Sequence, residues 1–288
     1  MKKLAAFAAF FLLATALSSP SLAQLNLPRP SQGATVTQTI GLTDITLVYS
    51  RPGVKGRTIW GGLVPFDKPW RTGANQSTTI AFTDDVMVEG KKLAAGTYSL
   101  YTIPGKDAWT FAFNSDAKAG AGEWDAKKDA LRVTVKPAEA PAFTEWMEFE
   151  FEALTPRSAE LALYWDKLRV PVKIETDTDA KAYANAKDAV AKAKADDWRL
   201  PLNAANYMIE NKAHQDDAEK WIAKSMAVQD NYYNNAAKAR LLASTGKTKE
   251  AIAAGEKALS LVAKTDPKPS DDTVAAFKKQ MAEWGAKS

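Results

Sequence analysis

The chain contains no cysteine and a single histidine, His214. The first absence excludes thiol nucleophiles, disulfides, iron–sulfur clusters and thiolate metal sites. The second excludes sites built on several imidazoles. It also leaves any Ser-His-Asp triad dependent on one residue in the helical half, and no glycine-flanked serine elbow accompanies it. A strong excess of one charge is missing too: 38 Lys and Arg stand against 34 Asp and Glu, too even a balance for a general nucleic-acid binder. Past the first residues there is no apolar run of the ~20 residues that a bilayer span needs, so no membrane span is expected.

What is present begins with a leader. Lys2 and Lys3 precede an apolar run from Leu4 to Leu17, broken only by Thr15. Ser18-Ser19-Pro20 ends it, and Ser21-Leu22-Ala23 supplies the small residues that a signal peptidase reads. Residues 1–23 read as a secretory signal cleaved after Ala23, which makes the protein exported, periplasmic or secreted. Taking Lys2 and Lys3 from the 38 basic residues leaves 36 against 34 acidic ones, a formal charge of +2. The 288-residue length leaves room for two domains, and without disulfides an exported chain of this size has to rely on its core.

From Leu25 onward the hydrophobic period is two. Ile45, Leu47 and Tyr49 alternate with Thr46, Val48 and Ser50, and Trp109, Phe111 and Phe113 alternate strictly up to Asn114. The cleanest case is Met147-Glu148-Phe149-Glu150-Phe151-Glu152, one side apolar and the other acidic. Leu161, Leu163 and Trp165, then Val170, Val172 and Ile174, close a series of about nine short strands with no helix between them. The expectation is an antiparallel β-sandwich, jelly-roll-like, or a related barrel, over residues 24–176. At Glu175-Thr176-Asp177-Thr178-Asp179 the composition turns polar, and the period then becomes helical. Helices are expected over Ala180–Ala195, Trp198–Asn211, Asp216–Gln229, Tyr232–Ser244, Thr248–Ala263 and Asp271–Trp284. Met208, Ala218, Trp221, Ser225 and Met226 align with Leu241, Ala251, Ala254, Ala258 and Leu259, each 33 positions later. Paired helices at such a period point to a tetratricopeptide-like helical-hairpin domain over residues 177–288, with a plain bundle as the alternative. The class is thus α+β, in two domains.

One stretch stands apart: Arg51-Pro52-Gly53-Val54-Lys55-Gly56-Arg57, then Trp60-Gly61-Gly62, then Pro69-Trp70-Arg71-Thr72-Gly73-Ala74-Asn75. Its glycines and prolines demand an irregular backbone, and its arginines lie beside tryptophans. These elements, with Gly96-Thr97-Tyr98-Ser99-Leu100, Ile103-Pro104, Trp109 and Asn114, resemble the domain of unknown function 2911 family across nearly all of the β half. The resemblance implies an exported β-domain, often with a helical extension. It carries no established activity and transfers no catalytic residue.

For chemistry, the cation-bearing stretch is the best candidate. Arg51, Lys55, Arg57, Arg71 and Asn75, with Trp60 and Trp70 as walls, form a candidate pocket for a small anionic or carbohydrate-like ligand. Equally, the same arginines can pin the loop by binding backbone carbonyls and the sheet's own carboxylates. Asp84, Asp85, Asp125 and Asp129 lack a regular calcium spacing, so no metal and no cofactor is expected. Glu123, Asp125, Asp129 and Glu145 are the candidate acids for a glycoside-hydrolase pair, and none is marked out as catalytic. Three readings follow: a non-catalytic binding or adaptor protein whose helical half docks a protein partner, an envelope-polymer hydrolase with paired carboxylates, or a purely structural envelope protein.

Overall fold

The computed structural model describes residues 27–117 and 124–286. The expected signal segment, residues 1–23, and Glu123 lie outside the described residues. Among the described residues the alternating stretches form ten strands: β1 (Gln32–Ile40), β2 (Thr43–Arg51), β3 (Thr79–Phe82), β4 (Val86–Val88), β5 (Lys91–Leu93), β6 (Gly96–Pro104), β7 (Trp109–Asn114), β8 (Asp129–Val135), β9 (Ala138–Glu152) and β10 (Ser158–Thr176). They pair antiparallel in two sheets, one ordered β1-β2-β3-β6-β7-β8 and the other β5-β4-β10-β9. Neither closes into a barrel.

The inward side chains of both sheets make one core, with Leu47, Ile80, Leu100 and Phe111 from the first and Met147, Leu163, Trp165 and Val172 from the second. The acidic side of β9 faces outward, as its alternation required: Met147 and Phe149 are buried and Glu150 is exposed.

β10 is one strand where the sequence suggested two. Its buried residues change parity, from Leu161, Leu163 and Trp165 to Val170, Val172 and Ile174. A strand cannot change face without an extra residue. The register against β9 shifts at Asp166, whose φ is 60°, so a bulge there absorbs the parity change and the strand continues.

Six helices follow among the described residues: α1 (Thr178–Lys192), α2 (Arg199–Glu210), α3 (Gln215–Val228), α4 (Tyr232–Ser244), α5 (Thr248–Leu261) and α6 (Asp271–Gly285). The starts of α1, α4 and α6 carry side-chain caps: Asp177 accepts from Ala180 N, Asn231 from Tyr233 N and Asn234 N, and Ser270 from Thr273 N. α2 packs on α3 and α4 on α5 through short turns, and the two pairs meet through α2, α3 and α4. Residues at the 33-position spacing occupy matching places. Met208 and Leu241, Ala218 and Ala251, and Ser225 and Ala258 are all buried. Among the described residues, no helix is long and apolar enough to cross a membrane.

The two halves are held by named contacts. Arg157, in the β9–β10 turn, makes a two-pronged bond to Asp179 of α1, at 2.7 and 2.8 Å. Lys181 of α1 donates to Leu42 O at 2.7 Å and pairs with Asp84. Gly41, at φ 61° in the β1–β2 turn, lies so close to α1 that a Cβ there would stand 2.0 Å from Thr178 Oγ1.

Candidate functional site

The stretch after β2 folds back on the sandwich. Lys55 and Gly56 take φ 48° and 67°, both left-handed, so the chain reverses between Val54 and Arg57. At its end, Trp70 and Thr102 exchange backbone hydrogen bonds at 2.8 and 2.9 Å. That places Trp70 beside β6, just beyond where β3 stops pairing with it. Thr72 and Asn75 also have positive φ, 57° each.

Two of its cations are taken up inside the protein. Arg51 donates to Met147 O at 2.9 Å and to the Glu148 carboxylate at 2.5 Å. Arg57 donates to Gly53 O at 2.6 Å and Val54 O at 3.1 Å. Lys55 is exposed, with its ammonium 5.5 Å above the Trp146 ring and its backbone N–H on Glu145. Asn75 donates to Ser31 O and Ser50 Oγ at the edge of a shallow hollow of 410 Å³ shared with Leu27 and Arg29. Arg71 differs: among the described residues no hydrogen bond or ion pair forms at its guanidinium, and its Nε is buried without a partner.

The two tryptophans serve the core. Trp60 sits 4.9 Å from Trp109 and 5.6 Å from Trp165, edge to face, and Trp70 stacks on Trp165 at 5.8 Å. Trp109 and Trp165 are almost wholly buried. A four-tryptophan cluster therefore plugs the end of the sandwich where the sequence suggested pocket walls. Alternation marks Trp109 and Trp165 as core, but the approach of Trp60 and Trp70 to them is a long-range event that no local pattern carries.

The candidate acids are also engaged. Asp129 accepts from Asn114, Trp124 and Arg132. Asp125 caps the short 3-10 turn of residues Ala126–Lys128, and Glu145 holds Lys55 N. Asp84 takes Lys181, and Asp85 takes Lys92 and Ala95 N. No group of three or more His, Asp or Glu able to hold a metal occurs among the described residues. His214 stacks face to face on Tyr183 at 3.5 Å in the turn before α3.

The helical half holds a cleft of 890 Å³ between α2, α4 and α6. Its lining follows helical spacing. On α4, Tyr232, Ala236 and Arg240 recur every four residues and share one face. α2 contributes Arg199, Asn203 and Asn206 in the same manner, and α6 contributes Thr273, Phe277 and Gln280. Aromatic rings build the wall. Trp198 stacks on Tyr233 at 6.0 Å, and Tyr232 meets Phe277 edge to face at 5.8 Å. Arg199 lies over Trp198 at 4.5 Å. Deeper in, the half-buried Arg240 donates to Asn206 Oδ1 at 3.1 Å, and it has no ion-pair partner among the described residues. Burial lowers its pKa from the usual arginine range, against weaker opposing effects of Tyr232 and Glu210. None of these residues was singled out from the sequence. The available signal was the four-residue recurrence of Tyr232, Ala236 and Arg240, together with Asn206 and Arg240 lying nearly one repeat apart.

A family model described as "Protein of unknown function (DUF2911)" matches residues 31–174. Comparison with curated proteins and with solved structures found no match.

Proposed function

Because the chain belongs to the DUF2911 family, whose description names no activity, its role has to be argued from its own geometry, and we propose a non-catalytic binding protein. The helical half holds the ligand, and the β half is the scaffold that carries it. The single observation behind this reading is the aromatic-walled cleft of 890 Å³ with an unpaired arginine at its base. Clefts of a few hundred to about 1,000 Å³, mostly apolar with a few placed polar groups, are the usual form of a ligand site. The basic-aromatic stretch supports ligand binding less well, since Arg51 and Arg57 are bound to the protein itself. The paired helices also suit a tetratricopeptide-like docking role toward a protein partner. The expected leader supports binding in the periplasm or outside the cell, and N-terminal sequencing of the mature protein, expected to begin at Gln24, tests it.

The test is what the protein carries. Protein purified gently from its native host is denatured, and the released small molecules are identified by mass spectrometry. The reading expects a molecule retained by the wild type and by Arg71→Ala but lost from Ala276→Trp, which fills the cleft from an exposed position of α6. Identical release from all three, or no release from any, contradicts it.

A further inference from the structure

We infer that the cleft between α2, α4 and α6 takes a small organic anion: a flat apolar body bearing a carboxylate, with the carboxylate on Arg240 and the body against Tyr232, Tyr233 and Phe277. This rests on the binding reading above and adds the chemistry of the ligand.

The first observation is the state of Arg240. Two other partly buried arginines of this chain have carboxylates, Arg51 with Glu148 and Arg169 with both Glu152 and Glu160, whereas Arg71 shares with Arg240 the lack of one among the described residues. Arg240 has one neutral amide, Asn206. The acids that face it, Glu210 along α2 and Glu283 on α6, line its surroundings without pairing with it. A half-desolvated guanidinium lacking a carboxylate is unfavourable for the fold. It is also a preformed two-pronged seat for one.

The second observation is access. A neighbouring hollow of 450 Å³, reaching toward Trp284 and Glu210, shares Arg240 and Gln280 with the main cleft. Arg240 thus lines both cavities. The third is charge: Arg199, Arg240 and Lys279 line the main cleft against the single carboxylate of Glu283. The fourth is size and surface. At 890 Å³ the cleft lies within the range of sites that enclose small molecules, and ring faces and edges supply its apolar wall.

The experiment titrates the full chain by calorimetry with benzoate, phenylacetate and indole-3-acetate, and with the neutral amide of each. The amides keep the shape and remove the charge. At least one acid is expected to bind, with its amide weaker by about tenfold or more. Arg240→Gln should abolish the acid–amide difference, and Ala276→Trp should abolish binding of both. The melting temperature of unliganded Arg240→Met gives a readout independent of ligand choice. It should equal or exceed that of the wild type, since an apolar stem replaces an unpaired charge. The inference is overturned if no acid of the panel binds, if acids and amides bind alike, or if Arg240→Met melts several degrees lower, which marks Arg240 as a structural prop. If the panel fails but a molecule is still released from the native protein in a cleft-dependent way, the anion class is wrong and the binding reading stands.

Discussion

Arg51 reaches across from β2 to β9, where Met147 O and the Glu148 carboxylate hold its guanidinium. Arg71, twenty positions on, has no such partner. The two side chains belong to one basic stretch, yet their removal should read differently. Arg51→Ala should lower stability by about 1–2 kcal/mol, the usual loss for hydrogen bonds from a charged group. Arg71→Ala should stay within about 0.5 kcal/mol of wild type, because it breaks no hydrogen bond among the described residues and removes a buried nitrogen that lacks a partner. Chemical denaturation of both variants checks the contrast. A third residue gives a pH signature. The hydrogen bond from Lys181 pulls the Asp84 carboxyl below its ordinary value, and the Thr83 and Thr43 hydroxyls assist against a smaller effect of burial. With the folded pKa depressed, the stabilisation is present above the unfolded value of about 3.9 and fades as pH falls through the lower folded value. Asp84→Asn should therefore melt lower than wild type at pH 7, by the equivalent of about 0.5–1 kcal/mol for so exposed a pair. The gap should close as pH falls through the depressed folded value and the Asp84 carboxyl becomes protonated.

The elements show how far local pattern reaches. All six helices and nearly every strand were legible, because a helical or two-residue period declares a buried face wherever one face is buried. Pattern failed where two elements had to be joined. β10 looked like two strands because the bulge at Asp166 inverts the parity of its buried residues. The tryptophans of the basic stretch looked like pocket walls because nothing near them in sequence names Trp109 and Trp165 as neighbours. The helical cleft went unread for a related reason: three helix faces from distant segments form it, and each face alone resembles an ordinary solvated surface. Two substitutions test this level of the structure. Trp60→Ala should cost about 3–5 kcal/mol, the usual loss for a large aromatic removed from a packed core. A value near zero would mean that the four-tryptophan cluster does not hold the stretch in place. Gly41→Ala adds a Cβ 2.0 Å from Thr178 Oγ1 in left-handed backbone. It should weaken the junction of the β1–β2 turn with α1 by about 1–3 kcal/mol, seen as faster hydrogen exchange in α1 than in β6.

At the scale of the whole molecule, the β half and the helical half are joined by ion pairs and a close glycine contact rather than by a shared core. The three hydrophobic clusters lie in one half or the other. The β half gathers Trp60, Trp70, Trp109 and Trp165 into its own core, while the helical half leaves rings and a cation lining a cleft. This asymmetry is why the account assigns scaffolding to the first and binding to the second. The most direct measurement is a crystal structure of the protein taken from its native host without exchange of bound molecules. The account predicts non-protein density between α4 and α6, with an acidic group within hydrogen-bond distance of Arg240. Density beside Arg71 and Asn75 with the helical cleft holding only water would contradict it.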